Sequence, residues 1–222
     1  MLPFPLENRI VMKRVVTLFI ALLTLLTVMA AQARKKTPTG GVPDFAYPEK
    51  VLATAQKDLT AALKSGNGEA TVNALVRYGL AKSAVSADSL KSVISRIDGI
   101  RLSSTDPAVK SMLALIESDI YNDIYQNDSF VIDRRSTVAG LADDDYKLWS
   151  KQQFEAKIRT LLSDALSDRD ALMAIPLGAY KSVIDYSRQS LTFYPTLYDF
   201  AAYRAINTLQ NFAPREDVLN RP

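Results

Sequence analysis

The chain has 222 residues, and its 27 lysines and arginines nearly balance its 24 aspartates and glutamates, giving a net charge of +3. This charge is too small for us to expect a nucleic-acid partner. Because cysteine and histidine are both absent, disulfides, the commonest metal ligand and the Ser-His and Cys-His catalytic pairs are excluded. We therefore expect a protein that is stabilised by packing, is not an enzyme and needs no cofactor or metal.

The N-terminal residues 1–33 are typical of a secretory signal peptide. A short basic start, Met12-Lys13-Arg14, precedes an apolar run that extends from Val15 to Met29. Ala31 and Ala33 then place small residues at the −3 and −1 positions of a cleavage site. We expect cleavage after Ala33 and export of the mature protein to the periplasm or cell envelope.

Two alternatives concern the same segment. Met12 is an alternative start, because residues 1–11 add nothing recognisable to an export signal. An uncleaved anchor helix is the alternative to cleavage, but the apolar run is shorter than the roughly 20 residues of a membrane span. After cleavage we expect no membrane contact and a net charge of +1, because residues 1–33 carry three of the basic residues and one of the acidic ones.

The mature chain is predicted to be helical. Residues 34–46 read as a linker rich in threonine, glycine and proline, and residues 47–213 as one helical domain with apolar residues at helical spacing. Pro48 begins the first helix, and the Ser-Gly-Asn-Gly segment at residues 65–68 ends it, since glycine and asparagine accept the left-handed conformation. Asp88 is the expected N-cap of the third helix.

The fourth helix has the clearest start signal. Asp106 is a capping residue, and Pro107 follows it at the first helical position. The apolar period predicts that this helix ends near Gln126. Residues 127–147 break the period and predict a long loop, an uncommon feature in compact domains.

The last two long helices are predicted from capping boxes. Ser150 with Gln153 begins the fifth helix, and Thr196 with Asp199 begins the last, which is apolar over much of its circumference and is therefore either central or without its partner. The predicted fold is all-α, with about six or seven helices in antiparallel hairpins of TPR-like size but without a TPR consensus. Residues 214–222 are expected to be a tail or the start of a missing downstream region.

Acidic residues are the remaining candidates for metal binding or catalysis. Asp143-Asp144-Asp145 does not fit a calcium-binding loop, because the required glycine and the final glutamate are missing. Glu69, Glu117 and Glu155 are the candidates for the paired carboxylates of a glycosidase. None of the three has a distinctive setting in the sequence, so a lytic glycosidase is the least favoured of the functions considered.

Aromatic residues are the candidates for an interaction surface. Tyr121 and Tyr125 lie four residues apart on the fourth helix, and further tyrosines gather near the last helix. Such residues can bind sugars or peptides, but more often they lie at the edge of a core with the hydroxyl in water. Phe200 is expected to be buried. The residues predicted to serve interaction or packing are Trp149, Tyr194, Tyr198, Phe200 and Tyr203.

Three sequence blocks form a recognisable set. They are Ala46–Lys50 with Ala61–Gly66; Ala114–Tyr125 with Asp133-Arg134; and Trp149 and Phe154 with Tyr194–Phe200. Together they resemble the N-terminal helical region of large bacterial alpha-2-macroglobulin-like envelope proteins, over roughly residues 47–212. The most specific element is Pro-Thr-Leu-Tyr-Asp-Phe at residues 195–200.

The resemblance implies an exported protein related to protease traps that guard the cell envelope. Family members continue into β-sandwich domains and some carry a Cys-Gly-Glu-Gln thioester, whereas this chain has no cysteine and stops at Pro222. We therefore expect a non-catalytic helical leader or docking module, as a fragment, a truncated product or a free-standing relative. Its expected partner is a protein, either the downstream domains of the same protein or an envelope component. A free-standing helical-repeat adaptor that binds a peptide or an envelope partner is the alternative.

Overall fold

The computed structural model describes residues 48–142, 145–184 and 188–212. Within these ranges the protein is all-α, as predicted, with eight α-helices and no strand. The helices are α1 (Pro48–Ser65), α2 (Gly68–Val85), α3 (Leu90–Ser103), α4 (Pro107–Ile132), α5 (Lys151–Ala165), α6 (Arg169–Met173), α7 (Arg188–Phe193) and α8 (Leu197–Leu209). None of these helices combines the length and apolar character needed to cross a membrane. The signal peptide with Ala31 and Ala33, the linker and the tail lie outside the described residues.

α1 and α2 form a helical hairpin around a tight turn. Gly66 has a φ of 67°, in the left-handed region that glycine adopts without strain. Asn67 caps α2 by accepting a backbone hydrogen bond at 2.9 Å, so the predicted end of the first helix is confirmed. Gly68 leaves room for a close approach, because a Cβ there would lie 2.6 Å from Oδ2 of Asp106 and 2.7 Å from the hydroxyl of Tyr180. The start of α2 therefore packs directly against the start of α4.

α4 is the central helix of the domain. It contacts α2, α3, α5, α6 and α8, and every residue from Ser111 to Tyr121 is buried. Met112 and Leu113 are both 0% exposed. The last helix was predicted to be either central or without its partner. The central helix is α4, and α8 buries only one side.

Three of the four helix starts predicted from capping residues are confirmed. Asp106 caps α4, its Oδ1 accepting a backbone hydrogen bond at 2.8 Å. Ser150 with Gln153 forms the capping box of α5. Thr196 with Asp199 forms that of α8. Each box satisfies backbone amides that the first turn of a helix leaves unpaired.

The predicted N-cap of α3 is wrong. Asp88 lies inside a 3₁₀ turn, Ala87–Ser89, and the residue before α3 is Ser89, which makes no side-chain cap bond. The backbone N–H of Ser89 donates instead to the carbonyl of Ser86 at 3.1 Å. A 3₁₀ turn therefore precedes α3 in place of a side-chain cap.

The loop predicted at residues 127–147 begins later than expected. α4 does not end near Gln126 but continues to Ile132, and within it Asp128 departs from helical geometry with φ −115° and ψ 18°. The helix resumes beyond this kink because it buries Ile132, which is 1% exposed. Further along, the connection contains a second 3₁₀ turn, Tyr146–Leu148.

A short backbone bridge holds the start of α8. The backbone amides of Leu177 and Leu197 donate to the carbonyls of Pro195 and Ile175, at 3.0 and 2.9 Å. The segment after α6 is thereby joined to the segment before α8. Pro195–Phe200, the most specific block of the family resemblance, thus supplies this bridge and the capping box.

Candidate functional site

Trp149 lies in a buried aromatic cluster. Its ring stacks on Tyr121 at 5.2 Å between centroids and meets the edge of Phe154 at 5.3 Å. Tyr125 belongs to the same cluster and stacks on Phe212 at 4.8 Å. The expectation that Tyr121 and Tyr125 lie at the edge of the core with their hydroxyls in water is wrong, because they are 1% and 4% exposed. The cluster therefore packs the helices together and offers no surface to a partner.

The predicted residues Phe200 and Tyr198 also have partners within the domain. Phe200 is 3% exposed and lies on the buried side of α8 with Leu197 and Ala201, both 0% exposed. Tyr198 is half-buried, and its ring lies 5.6 Å from the guanidinium carbon of Arg169. Phe200 is therefore a core residue, and Tyr198 packs against α6.

The outer side of α7 and α8 carries an exposed aromatic and aliphatic surface. We name it the α7–α8 face and define it by Phe193, Tyr194, Tyr203 and Ile206. The rings of Tyr194 and Tyr203 are 4.5 Å apart, and those of Phe193 and Tyr194 are 6.5 Å apart. Ile206 lies one helical turn beyond Tyr203. Phe193 and Ile206 are 68% and 61% exposed, and Tyr194 and Tyr203 are half-buried, so a partner can reach this face through Phe193 and Ile206.

The two charged residues of α8 are engaged within the domain. Between Gln189 and Phe212 the sequence has two charged residues, Asp199 and Arg204. Asp199 closes the capping box of α8. Arg204 donates to both carboxylate oxygens of the buried Asp119 at 2.7 Å. Burial raises the pKa of Asp119, although Arg204 opposes that shift. The face therefore presents aromatic, aliphatic and amide side chains.

A buried ion cluster surrounds Arg101 of α3. Its Nε donates to Oε2 of Glu117 at 3.2 Å, its Nη1 donates to Oδ2 of Asp164 at 2.8 Å, and its Nη2 donates to Asp98. Nζ of Lys157 lies 3.6 Å from the other carboxylate oxygen of Glu117. Glu117 is 0% exposed and Arg101 is 8% exposed. The cluster connects α3, α4 and α5 at one point in the core.

The protonation of Glu117 bears on the glycosidase alternative. Burial raises the pKa of Glu117, although the charges of Lys157 and Arg101 oppose the shift. The same burial lowers the pKa of Arg101, but the surrounding carboxylates outweigh it and leave that pKa raised. A carboxyl group with a raised pKa suits a general acid. Glu117, however, is fully enclosed and held by Arg101, so its geometry is that of a structural tie.

The raised pKa of Glu117 predicts a pH dependence of stability. The folded protein binds this proton more readily than the unfolded chain, so the contribution of Glu117 to stability is fully present below the unfolded pKa and is lost as pH rises through the folded pKa. We expect the unfolding free energy of the wild type, relative to Glu117→Gln, to fall as the pH rises above about 4, the ordinary pKa of a glutamate. Urea unfolding of both proteins measures this difference. Asp119 is present in both proteins, so its own pH dependence cancels in the comparison. A difference that increases with pH would show that the two cations dominate instead.

The other two glutamates have structural partners. Oε1 of Glu69 accepts a hydrogen bond from the backbone N–H of Ser182 at 3.0 Å, which ties α2 to the segment after Tyr180. Glu155 pairs with Arg159 one turn along α5 at 2.7 Å. Among the described residues, no group of three or more acidic side chains is arranged to hold a metal ion. Glu69 and Glu155 therefore serve contacts within the domain.

The sequence interpretation overlooked the ion pairs in the core. The available signal was the position of Glu117 and Asp119 directly after the apolar run Met112–Ile116, which is long enough to cover every side of the helix. Charged residues on such a helix are buried and must be paired. The pattern predicts cationic partners, but it does not say that they are Arg101 and Arg204.

The residues that carry the family resemblance have structural roles in this domain. Tyr121 and Trp149 pack in the aromatic cluster, and Pro195–Phe200 begins α8. No protein-family model, no curated protein and no solved structure matches this chain.

Proposed function

We propose that this protein is a non-catalytic helical docking module that holds a protein partner on its α7–α8 face. The observation that carries the proposal is the exposure of Phe193 and Ile206, at 68% and 61%, beside the ring pair of Tyr194 and Tyr203. Aromatic enrichment with depletion of charge is the composition of the buried centre of protein–protein interfaces. An aliphatic residue such as Ile206 contributes to that kind of contact and offers nothing to a sugar hydroxyl.

The sequence supports a place for this module in the cell envelope. Residues 1–33 favour export, and the three sequence blocks favour a leader module of an alpha-2-macroglobulin-like, protease-inhibitor-like protein. A free-standing adaptor would use the same surface. In either case the role of the domain is to bind and position a partner.

The non-catalytic part of the proposal predicts no reaction with proteases. Covalent trapping by a thioester requires a cysteine, which this chain lacks, and Glu117 is enclosed by ion pairs. We expect the exported protein, incubated with a panel of proteases, neither to form adducts nor to process added substrates. Denaturing gels and substrate assays check this expectation. A protease adduct that withstands denaturant would contradict the proposal.

The docking part is tested by photo-crosslinking in the cells that export the protein. Tyr203 is replaced with benzoyl-phenylalanine, and Leu102 of α3, which is 68% exposed and lies outside the α7–α8 face, receives the same group as the matched control. We expect a covalent protein adduct from position 203 and none from position 102. Absence of an adduct at position 203 would overturn the docking function.

A further inference from the structure

We infer that the partner of the α7–α8 face is a second copy of this chain, an inference that rests on the docking function proposed above. Charge provides the first reason. The whole chain is 23% charged, yet Asp199 and Arg204 are the two charged residues between Gln189 and Phe212, and both are engaged within the domain. In a two-fold dimer each side chain meets the same surface of the other copy, so a charged face repels itself. The four residues that define the α7–α8 face carry no charge and add no such repulsion.

Hydrogen bonding provides the second reason. Asn207 and Gln210 accompany the face along α8 and its 3₁₀ extension, and Gln210 is exposed. A primary amide carries both donors and an acceptor, and a tyrosine hydroxyl does the same. These groups can therefore pair with their own kind in the second copy. A face made of carboxylates or of ammonium groups has no such self-complementarity.

The size of the face sets the expected strength of the dimer. The helical segment from Leu197 to Phe212 is about 24 Å long. The surface area on one exposed side of this segment, taken together with α7, is smaller than the roughly 800 Å² that each partner buries in a standard interface. We therefore expect a weak dimer with a Kd between about 1 μM and about 1 mM. Such a dimer forms where the protein is concentrated and separates on dilution.

Sedimentation of the exported protein tests the inference. We expect the weight-average mass to rise from one copy toward two between about 5 and about 500 μM, a range set by that Kd. Ile206→Lys should remain monomeric at every concentration, because it places a positive charge on the α7–α8 face of each copy. Leu102→Lys, a change at an equally exposed aliphatic residue of α3, should behave as wild type. Phe193→Lys provides a second disruption if Ile206→Lys does not fold, as judged by circular dichroism.

Two sedimentation results would overturn the inference. One is a wild type that stays monomeric at the highest concentration, and the other is a dimer unaffected by both lysine substitutions in the face. The crosslink at position 203 separates this failure from failure of the docking function. An adduct that contains two copies of the chain supports the inference, whereas an adduct with a different protein overturns it and leaves the docking function standing. A monomer without any adduct overturns both.

Discussion

Replacing Arg101 with methionine should destabilise the protein by about 3–5 kcal/mol, because it leaves the buried carboxylate of Glu117 without its guanidinium partner. Nε of Arg101 donates to Oε2 of Glu117 at 3.2 Å, and the same side chain holds Asp164 at 2.8 Å. Methionine keeps the length and apolar character of the arginine stem, so the loss reports mainly the missing charge and its hydrogen bonds. In urea unfolding, the midpoint should fall with little change in slope.

A surface pair and a double variant control this prediction. Arg77→Met removes an arginine whose side chain is 63% exposed and lies 3.7 Å from Asp58, and it should cost less than about 1 kcal/mol. Adding Glu117→Leu to Arg101→Met should recover much of the stability, because the buried carboxylate that has lost its guanidinium partner is then gone. If Arg101→Met is no more costly than Arg77→Met, the ion cluster does not tie α3 to α4 and α5.

The parts of the fold that could be predicted depend on short stretches of sequence. The caps at Asp106, Ser150 and Thr196 each act within three or four consecutive residues, so their chemistry is visible in the chain itself. The continuation of α4 past Asp128 was not visible in this way. It depends on the burial of Ile132, which other elements of the domain supply.

The same distinction explains what was missed in the core. Arg101 bonds to Asp164 across 63 residues, and Arg204 bonds to Asp119 across 85. The sequence shows that Asp119 lies among apolar residues, but only the packing of α8 on α4 shows which cation reaches it. Long-range partners of this kind are set by tertiary structure and not by local pattern.

The tyrosines of the candidate site show a further limit. Tyr121 and Tyr203 both lie on apolar stripes of helices, and a stripe does not reveal how many neighbours cover it. Tyr121 is enclosed because Trp149 stacks on it from the connection before α5. Tyr203 is half-buried, and its aromatic contact is Tyr194, which is itself half-buried. A helical period therefore predicted the candidates, and the surrounding elements decide which of them a partner can reach.

Replacing Phe200 with alanine should cost about 3–5 kcal/mol, because it opens a cavity between α8 and the core. Phe200 is 3% exposed, and Leu197 and Ala201 beside it are 0% exposed, so neighbouring side chains have little freedom to fill the space. Chemical denaturation at a protein concentration well below the expected dimer Kd measures the loss for the monomer.

Ile206→Ala is the matched control for Phe200→Ala, because it removes apolar volume from the opposite, exposed side of the same helix. Its effect on the monomer should stay within roughly 0.5 kcal/mol, as for ordinary surface changes. Equal losses at the two positions would mean that α8 is enclosed on both sides and that the α7–α8 face is not free to dock. A large loss at Phe200 with a small one at Ile206 would instead separate the side of α8 that stabilises the domain from the side that is left for a partner.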